Sequence, residues 1–338
     1  MKLVQIGTLG HYAYAIPTAQ KYGLDYVGIC GADEEDDLDM LSEKLTRAGF
    51  FPRRYEDWRT MIEAEKPDIA IVNSVMGRNA EIAAFALEHG VSVFCEKPVA
   101  TEISALTALE ETYHVAKEKY ADRHLAFCGM FGIDYLPHFE TALRYLESGA
   151  LGEVRLVNAQ KSYRMGHREK FYSDREKYGG TIPWVAIHGI EWVMRLAGFA
   201  PVSVTACAST ACNAGNGTME ASTLCLFACE DGKMASVSAD VMRPATAPTH
   251  DDDRLRVVGS DGVLEVRGGR VFVIDRAGER ELPLAPSETE LFEEFLLEIE
   301  GKAKCRVNAE MTFAVTRAAL AARLSADTGK TIRISEVR

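Results

Sequence analysis

At 338 residues the chain exceeds the size at which one hydrophobic core usually stops growing, so two domains are the expectation. Its 47% hydrophobic and 26% charged content is that of a globular protein, and no stretch reaches the roughly 20 uncharged apolar residues of a spanning helix. A formal net charge of −12 opposes non-specific nucleic-acid binding, which needs a basic footprint.

Leu3-Val4-Gln5-Ile6 opens a strand almost at Met1, with no charged leader, apolar core or small-residue cleavage site; a cytoplasmic location is the expectation. The strand ends in Gly7-Thr8-Leu9-Gly10, and a helix is predicted over 11–22. Strand 26–30, helix 38–48 and helix 58–64, capped by Asp57, follow. Then come strand 69–72, helix 80–88, strand 91–95, helix 104–119 and strand 125–128. Near-continuous apolar strands alternating with helices imply a parallel sheet covered on both faces. With right-handed crossovers this is an α/β, Rossmann-type, doubly wound domain over residues 1–128.

Residues 129–338 read differently. A helix over 138–148 precedes a strand over 154–161, and strands follow at 202–207, 223–229, 234–240, 254–258, 263–266 and 270–274. Gly232, Gly262 and Gly268-Gly269 supply turns between them. Helices over 288–300 and 309–327 close the chain, the last a candidate to pack on the first domain. This is an α+β domain with an open, largely antiparallel sheet, one face against helices and the other available to a partner copy. A homodimer or homotetramer is the expectation.

The eight cysteines form no C-x-x-C pair and mostly sit in apolar runs, so buried reduced thiols are expected, with no disulfide framework and no metal site. The acidic runs 33–37 and 251–253 read as solvated turns or helix starts.

Four features could carry chemistry. Gly7 and Gly10, with Thr8 and Leu9 between them and Tyr12 beyond, lie at a strand-to-helix turn where N–H groups can hold a pyrophosphate; a plain tight turn explains them equally. At the end of the second strand an acid normally accepts hydrogen bonds from the adenosine ribose; Gly31 stands there and Asp33 is the candidate substitute. Cys95-Glu96-Lys97-Pro98 follows a strong strand, at the edge where open α/β sheets bind ligands, and a lysine there can polarise a substrate oxygen. Its alternative is a surface lysine beside a loop proline. Finally, Pro183 can start a helix that sets Trp184, His188, Glu191 and Arg195 on one face; His188 can exchange a proton near neutral pH, or simply pack against its helix neighbours.

Together these features resemble the glucose–fructose oxidoreductase and inositol dehydrogenase family (Gfo/Idh/MocA), and the resemblance spans almost the whole chain. Tyr55-Glu56-Asp57-Trp58, Asp68-Ile69-Ala70-Ile71-Val72, the 83–90 segment, the 148–154 segment and the 255–265 segment fall where that family has similar words. Glu96-Lys97-Pro98 is the most specific match. The resemblance implies NAD or NADP as cofactor, held near Gly7, Thr8, Leu9, Gly10, Tyr12, Asp33, Ser74, Glu96 and Lys97. It implies Lys97 and His188 as the catalytic pair. Departures accompany it: the family's aspartate one turn before the histidine falls at Trp184, its Thr-Pro is Ser74-Val75, and two of its glycines are Leu9 and Tyr12.

The implied activity is hydride transfer between a nicotinamide and a hydroxyl-bearing carbon of a sugar, cyclitol or sugar acid. Lys97, Arg164, His167, Trp184 and His188 are the expected substrate contacts, and the basic run 161–168 suits a carboxylated or phosphorylated substrate as well as it suits a solvated loop. Two other readings stand beside it: a binding protein that kept the fold without turnover, and a lyase or glycosidase using tightly held NAD. No membrane or nucleic-acid partner is expected.

Overall fold

A computed structural model describes residues 1–338, which pack as two compact units. The first comprises Met1–Met130, Lys177–Gly179 and Thr289–Phe313; the second comprises Phe131–Glu176, Gly180–Glu288 and Ala314–Arg338.

In the first unit the strand–helix alternation becomes a six-stranded parallel sheet. Its strands are β1 (Lys2–Ile6), β2 (Asp25–Cys30), β3 (Arg53–Tyr55), β4 (Ile69–Val72), β5 (Ser92–Cys95) and β6 (Phe127–Gly129). They lie in the order β3-β2-β1-β4-β5-β6, so the winding reverses between β1 and β4 and leaves a crevice at their carboxyl ends. Helices α1 (Ile16–Lys21), α2 (Leu38–Arg47), α3 (Trp58–Glu65), α4 (Asn79–Glu88) and α5 (Ile103–Lys119) make the connections. Every residue of β4 and β5 is buried, which is why these strands read as unbroken apolar runs. The helix Leu291–Ile299 belongs to this unit: Phe292 and Phe295 pack on Phe94 of β5 with ring centroids 4.9 and 5.5 Å apart.

Two local expectations change. Residues 11–15 form turns, and the predicted helix over 11–22 is only Ile16–Lys21. Pro17 has no N–H to donate one turn back, so it suits the first turn of a helix and not its middle. The short strand β3 was not foreseen, because three residues of mixed polarity carry no periodic signal.

The second unit opens with α6 (Pro137–Glu147) and is built on a nine-stranded sheet. Its strands are β7 (Val154–Arg164), β8 (Pro201–Ser209), β9 (Ser222–Cys229), β10 (Met234–Arg243), β11 (Asp251–Gly259), β12 (Gly262–Arg267), β13 (Arg270–Asp275), β14 (Gly278–Leu282) and β15 (Ile332–Arg333). The order is β14-β13-β12-β11-β7-β10-β9-β8-β15, and only the central β7–β10 pair is parallel. One face is buried through Thr223, Cys225 and Phe227 of β9; the alternate residues Leu224 and Leu226 are exposed.

A helical run lies on the buried face. It consists of a π-helical turn (Ile182–Ala186), the α-helix α8 (Ile187–Glu191; α7 is the short Arg175–Tyr178) and a second π-helical turn (Trp192–Leu196). Gly189 permits the close approach: a Cβ there would sit 2.6 Å from Val237 Cγ1 of β10 and 3.3 Å from Ala159 Cβ of β7.

The run Asp251-Asp252-Asp253 is not a solvated turn. These residues begin β11 and pair with Tyr163, Ser162 and Lys161 of β7. Lys161 is fully buried, and its Nζ needs the Asp253 carboxylate, 2.6 Å away. Burial pushes the Asp253 carboxyl up to about 6, although Lys161 pulls it the other way. The cysteines also divide: all eight are free, but Cys207 and Cys212 are exposed rather than buried. Cys207 points outward from β8 by strand alternation, and Cys212 lies in the loop that follows. No helix is long and apolar enough to cross a membrane.

Candidate functional site

In the first unit, a candidate site forms around the turn after β1. Gly7 has φ +84°, and a Cβ there would run into the Asn73 carbonyl oxygen, so glycine is required sterically as well as conformationally. Asn73, just past β4, clamps the turn from both sides: Leu9 N donates to its carbonyl at 2.9 Å, and its Nδ2 donates to Leu9 O at 2.9 Å. Leu9, which replaces a glycine of the fingerprint, is thus held by its backbone.

Asp36 reaches the same turn from the β2–α2 loop. Its Oδ1 accepts from Thr8 N at 2.6 Å and Thr8 Oγ1 at 3.0 Å, and its Oδ2 accepts from Ala32 N at 2.7 Å and Asp33 N at 2.9 Å. The acidic run 33–37 is therefore only partly the solvated segment it resembles. Asp37 caps α2 by accepting from Met40 N, whereas Asp36 organises two loops. Asp33 Oδ2 accepts from Val75 N at 3.0 Å, and Arg78 Nη1 lies 3.4 Å from Asp33 Oδ1. Burial pushes the Asp33 carboxyl up, against the opposing pull of the Val75 N–H and Arg78.

The Glu96–Lys97 turn closes this side. Glu96 is almost fully buried and accepts from His11 N at 2.7 Å, while His11 Nδ1 lies 2.9 Å from Glu96 Oε2. Burial alone would raise its carboxyl, but the His11 and Lys97 charges hold it below the usual carboxylate range. Lys97 is 3% exposed, with Nζ 3.8 Å from Glu96 Oε1, and its peptide bond to Pro98 is cis. Asn79 Nδ2 donates to Glu96 O and Pro98 O, both at 3.0 Å, and Ser74 Oγ donates to Asn79 Oδ1 at 2.8 Å. Ser74 thus supports the lysine turn through Asn79. Tyr12 points toward α2, its hydroxyl 3.3 Å from Met40 Sδ and its ring under Lys44.

Gly7, Thr8, Leu9, Gly10, Asp33, Ser74, Glu96 and Lys97 are gathered at the carboxyl ends of β1, β2, β4 and β5. A dinucleotide fits here with a changed set of donors. The N–H groups of Gly7, Thr8, Leu9 and His11 already bond Cys30 O, Asp36, Asn73 O and Glu96, and α1 begins only at Ile16. Those of Gly10 and Tyr12 bond no protein acceptor and are the turn's available donors for a pyrophosphate. Asp36, Asn73, Asn79 and His11 were missed in the sequence. Each acts through the loop geometry of a distant segment, and only Asp36 left a trace, as one of five acidic letters.

In the second unit His188 sits on α8, 1% exposed, with the Phe131 ring edge-on at 6.3 Å between centroids. Thr181 opens the helical run and is capped by Glu220, whose Oε2 accepts from Thr181 N at 3.0 Å. Glu191 accepts from Arg195 Nε at 2.7 Å, and Arg195 also pairs with the fully buried Asp134. Trp184 lies in the first π-helical turn and joins an aromatic group. Its ring lies 4.4 Å from Tyr172 and 6.3 Å from Tyr163, with the Arg168 guanidinium 5.0 Å from its centroid. Arg164 ends β7 beside this group, and His167 is exposed in the following loop.

Comparison with known proteins agrees with this architecture. Residues 2–123 match the model of the oxidoreductase family with an NAD-binding Rossmann fold, and residues 139–265 match the GFO/IDH/MocA C-terminal domain. A solved structure from Thermotoga maritima, assigned as an oxidoreductase without a named substrate, is 43% identical with a TM-score of 0.92, and the match covers 98% of this chain and all of that one. Levoglucosan dehydrogenase of Pseudarthrobacter phenanthrenivorans is 30% identical over 122 residues, 36% of this chain and 29% of that protein. An alpha-N-acetylgalactosaminidase of Bacteroides fragilis is 24% identical over 200 residues, 56% of this chain and 44% of that protein. The chain therefore matches less than half the length of these two curated relatives. With both domain models in place and a near-full-length relative at 43% identity, the chain belongs to the Gfo/Idh/MocA oxidoreductase family, with an NAD-binding Rossmann domain.

Proposed function

We propose that this protein is a dehydrogenase that moves a hydride between a nicotinamide dinucleotide and a hydroxyl-bearing carbon of a carbohydrate-like substrate. The observation that carries this reading is Lys97, buried just past β5 and held beside a Glu96 carboxylate that His11 fixes. The nicotinamide, when bound, supplies the hydride acceptor or donor. On oxidation, His188 takes the hydroxyl proton as the C–H hydride leaves, and Lys97 stabilises the charge on the oxygen. The carboxylates of Asp33 and Asp36 at the end of β2 oppose a 2′-phosphate, which favours NAD over NADP.

Lys97→Ala is expected to lose hydride transfer while keeping most nucleotide affinity, and His188→Ala to slow it by roughly 10²–10⁴-fold. Following absorbance at 340 nm over a panel of sugars, cyclitols and sugar acids tests both. An active enzyme indifferent to the two substitutions contradicts the assignment. The similarity to a named glycosidase favours a second reading, in which NAD stays bound and turnover cleaves a glycoside without net NADH formation. Nucleotide retained through purification, with glycoside cleavage and no net absorbance change, separates it from the first.

A further inference from the structure

Arg164 and Arg168 stand apart from most of the guanidinium groups of the chain. Neither pairs with a carboxylate. The Nε of each is buried and donates to no acceptor, a costly state for a hydrogen-bond donor of a cation. Their other contacts hold them in place: Arg168 Nη2 donates to Arg164 O at 2.7 Å, and Arg164 donates to Ala247 O. The Trp184 and Tyr172 rings flank the Arg168 guanidinium at 5.0 and 5.9 Å from their centroids.

The acids of β11 are committed elsewhere, and Glu169 acts on the Arg168 charge without pairing with it. Asp251 and Asp253 face Lys161, and Asp252 pairs with Arg254 and Arg243. His250, stacked on Tyr163 at 5.2 Å, titrates below the usual histidine value, through burial first and then the Arg168 charge, with Arg164 and Lys161 adding to it. The cluster is thus a positive site whose donors lack an anion. It adjoins Trp184, four residues before His188 on the same helical run, where the resemblance would put an aspartate.

We infer that Arg164 and Arg168 bind an anionic group of the substrate, a carboxylate or a phosphate monoester, so that the molecule oxidised is an acidic sugar derivative rather than a neutral sugar or polyol. This rests on the dehydrogenase reading for the word substrate, and on the arginine cluster alone for the anion. The planar guanidinium fork suits both oxyanions, and Trp184 and Tyr172 hold one fork in orientation.

Calorimetry on the NADH-loaded full-length protein tests it with matched probes: D-glucose, D-gluconate, D-glucuronate, D-glucose 6-phosphate, myo-inositol and inorganic phosphate. At least one anionic probe is expected to bind about tenfold or more tighter than its neutral partner, a difference of about 1.4 kcal/mol. Arg168→Gln and Arg164→Gln each remove that gain, and Arg168→Lys restores part of it. Preference for carboxylates or for phosphates decides which anion the site takes. Neutral probes binding as tightly as anionic ones, anion binding indifferent to both substitutions, or no anion binding at about 10 mM, would each overturn the inference. NADH titration and thermal melts of the variants report whether they fold. Arginine-dependent anion binding with no hydride transfer to or from any probe would count against the dehydrogenase reading and leave the anion site standing.

Discussion

Glu96 illustrates how a residue next to the chemistry can be set by its neighbours. Its carboxylate meets the His11 backbone and ring, the Lys97 backbone and the Lys97 ammonium. Because its folded pKa lies below the unfolded value, its contribution to stability is fully present above the ordinary glutamate range and is lost as pH falls through the folded value. Glu96→Gln is therefore expected to cost about 1–3 kcal/mol at neutral pH, with the deficit shrinking toward acid pH. Urea denaturation from pH 7 down to pH 3 measures this; a deficit that stays constant with pH contradicts it. Glu96 and Lys97 were legible in the sequence because they follow an unmistakable buried strand. Asp36 was not, since nothing in Asp33-Glu34-Glu35-Asp36-Asp37 says which carboxylate turns back to Thr8.

At the level of elements, hydrophobic pattern gave five of the six parallel strands and most helices within a residue or two, because burial on both faces leaves a strong mark; the short, mixed-polarity β3 left none. It was weakest where polar residues lie inside. β7 runs three residues further than its apolar core suggested, and β11 begins at an acidic triplet, because Lys161 and Asp253 neutralise each other within the sheet. Lys161→Met is expected to destabilise the protein by about 3–5 kcal/mol, since Asp253 is left buried without its cation. Adding Asp253→Asn should recover much of the loss; a double variant as unstable as the single one argues against coupling between them. The helical run carrying His188 depends on Gly189. Gly189→Ala should cost about 1–3 kcal/mol by pressing on Val237, and should lower kcat by displacing His188. A variant with unchanged melting and kcat would show that the helix tolerates the methyl group. The π-helical turns on either side of α8 were not readable from spacing.

For the whole molecule, the exposed face of the nine-stranded sheet presents Leu224, Leu226 and Met234, and a second copy of the chain is the proposed partner. Sedimentation velocity at micromolar concentration is expected to show a species larger than the 37.2 kDa monomer, and Leu224→Asp with Leu226→Asp to dissociate it. A wild-type protein sedimenting only as monomer contradicts the dimer. The central claim is hydride transfer between substrate and a nucleotide held at a turn whose available donors are Gly10 and Tyr12, so cofactor binding is its most direct test. Isothermal titration with NADH and NADPH should show saturable binding of NADH, weaker binding of NADPH, and relief of that difference in Asp33→Asn. No heat of binding from either nucleotide at about millimolar concentration would contradict the account.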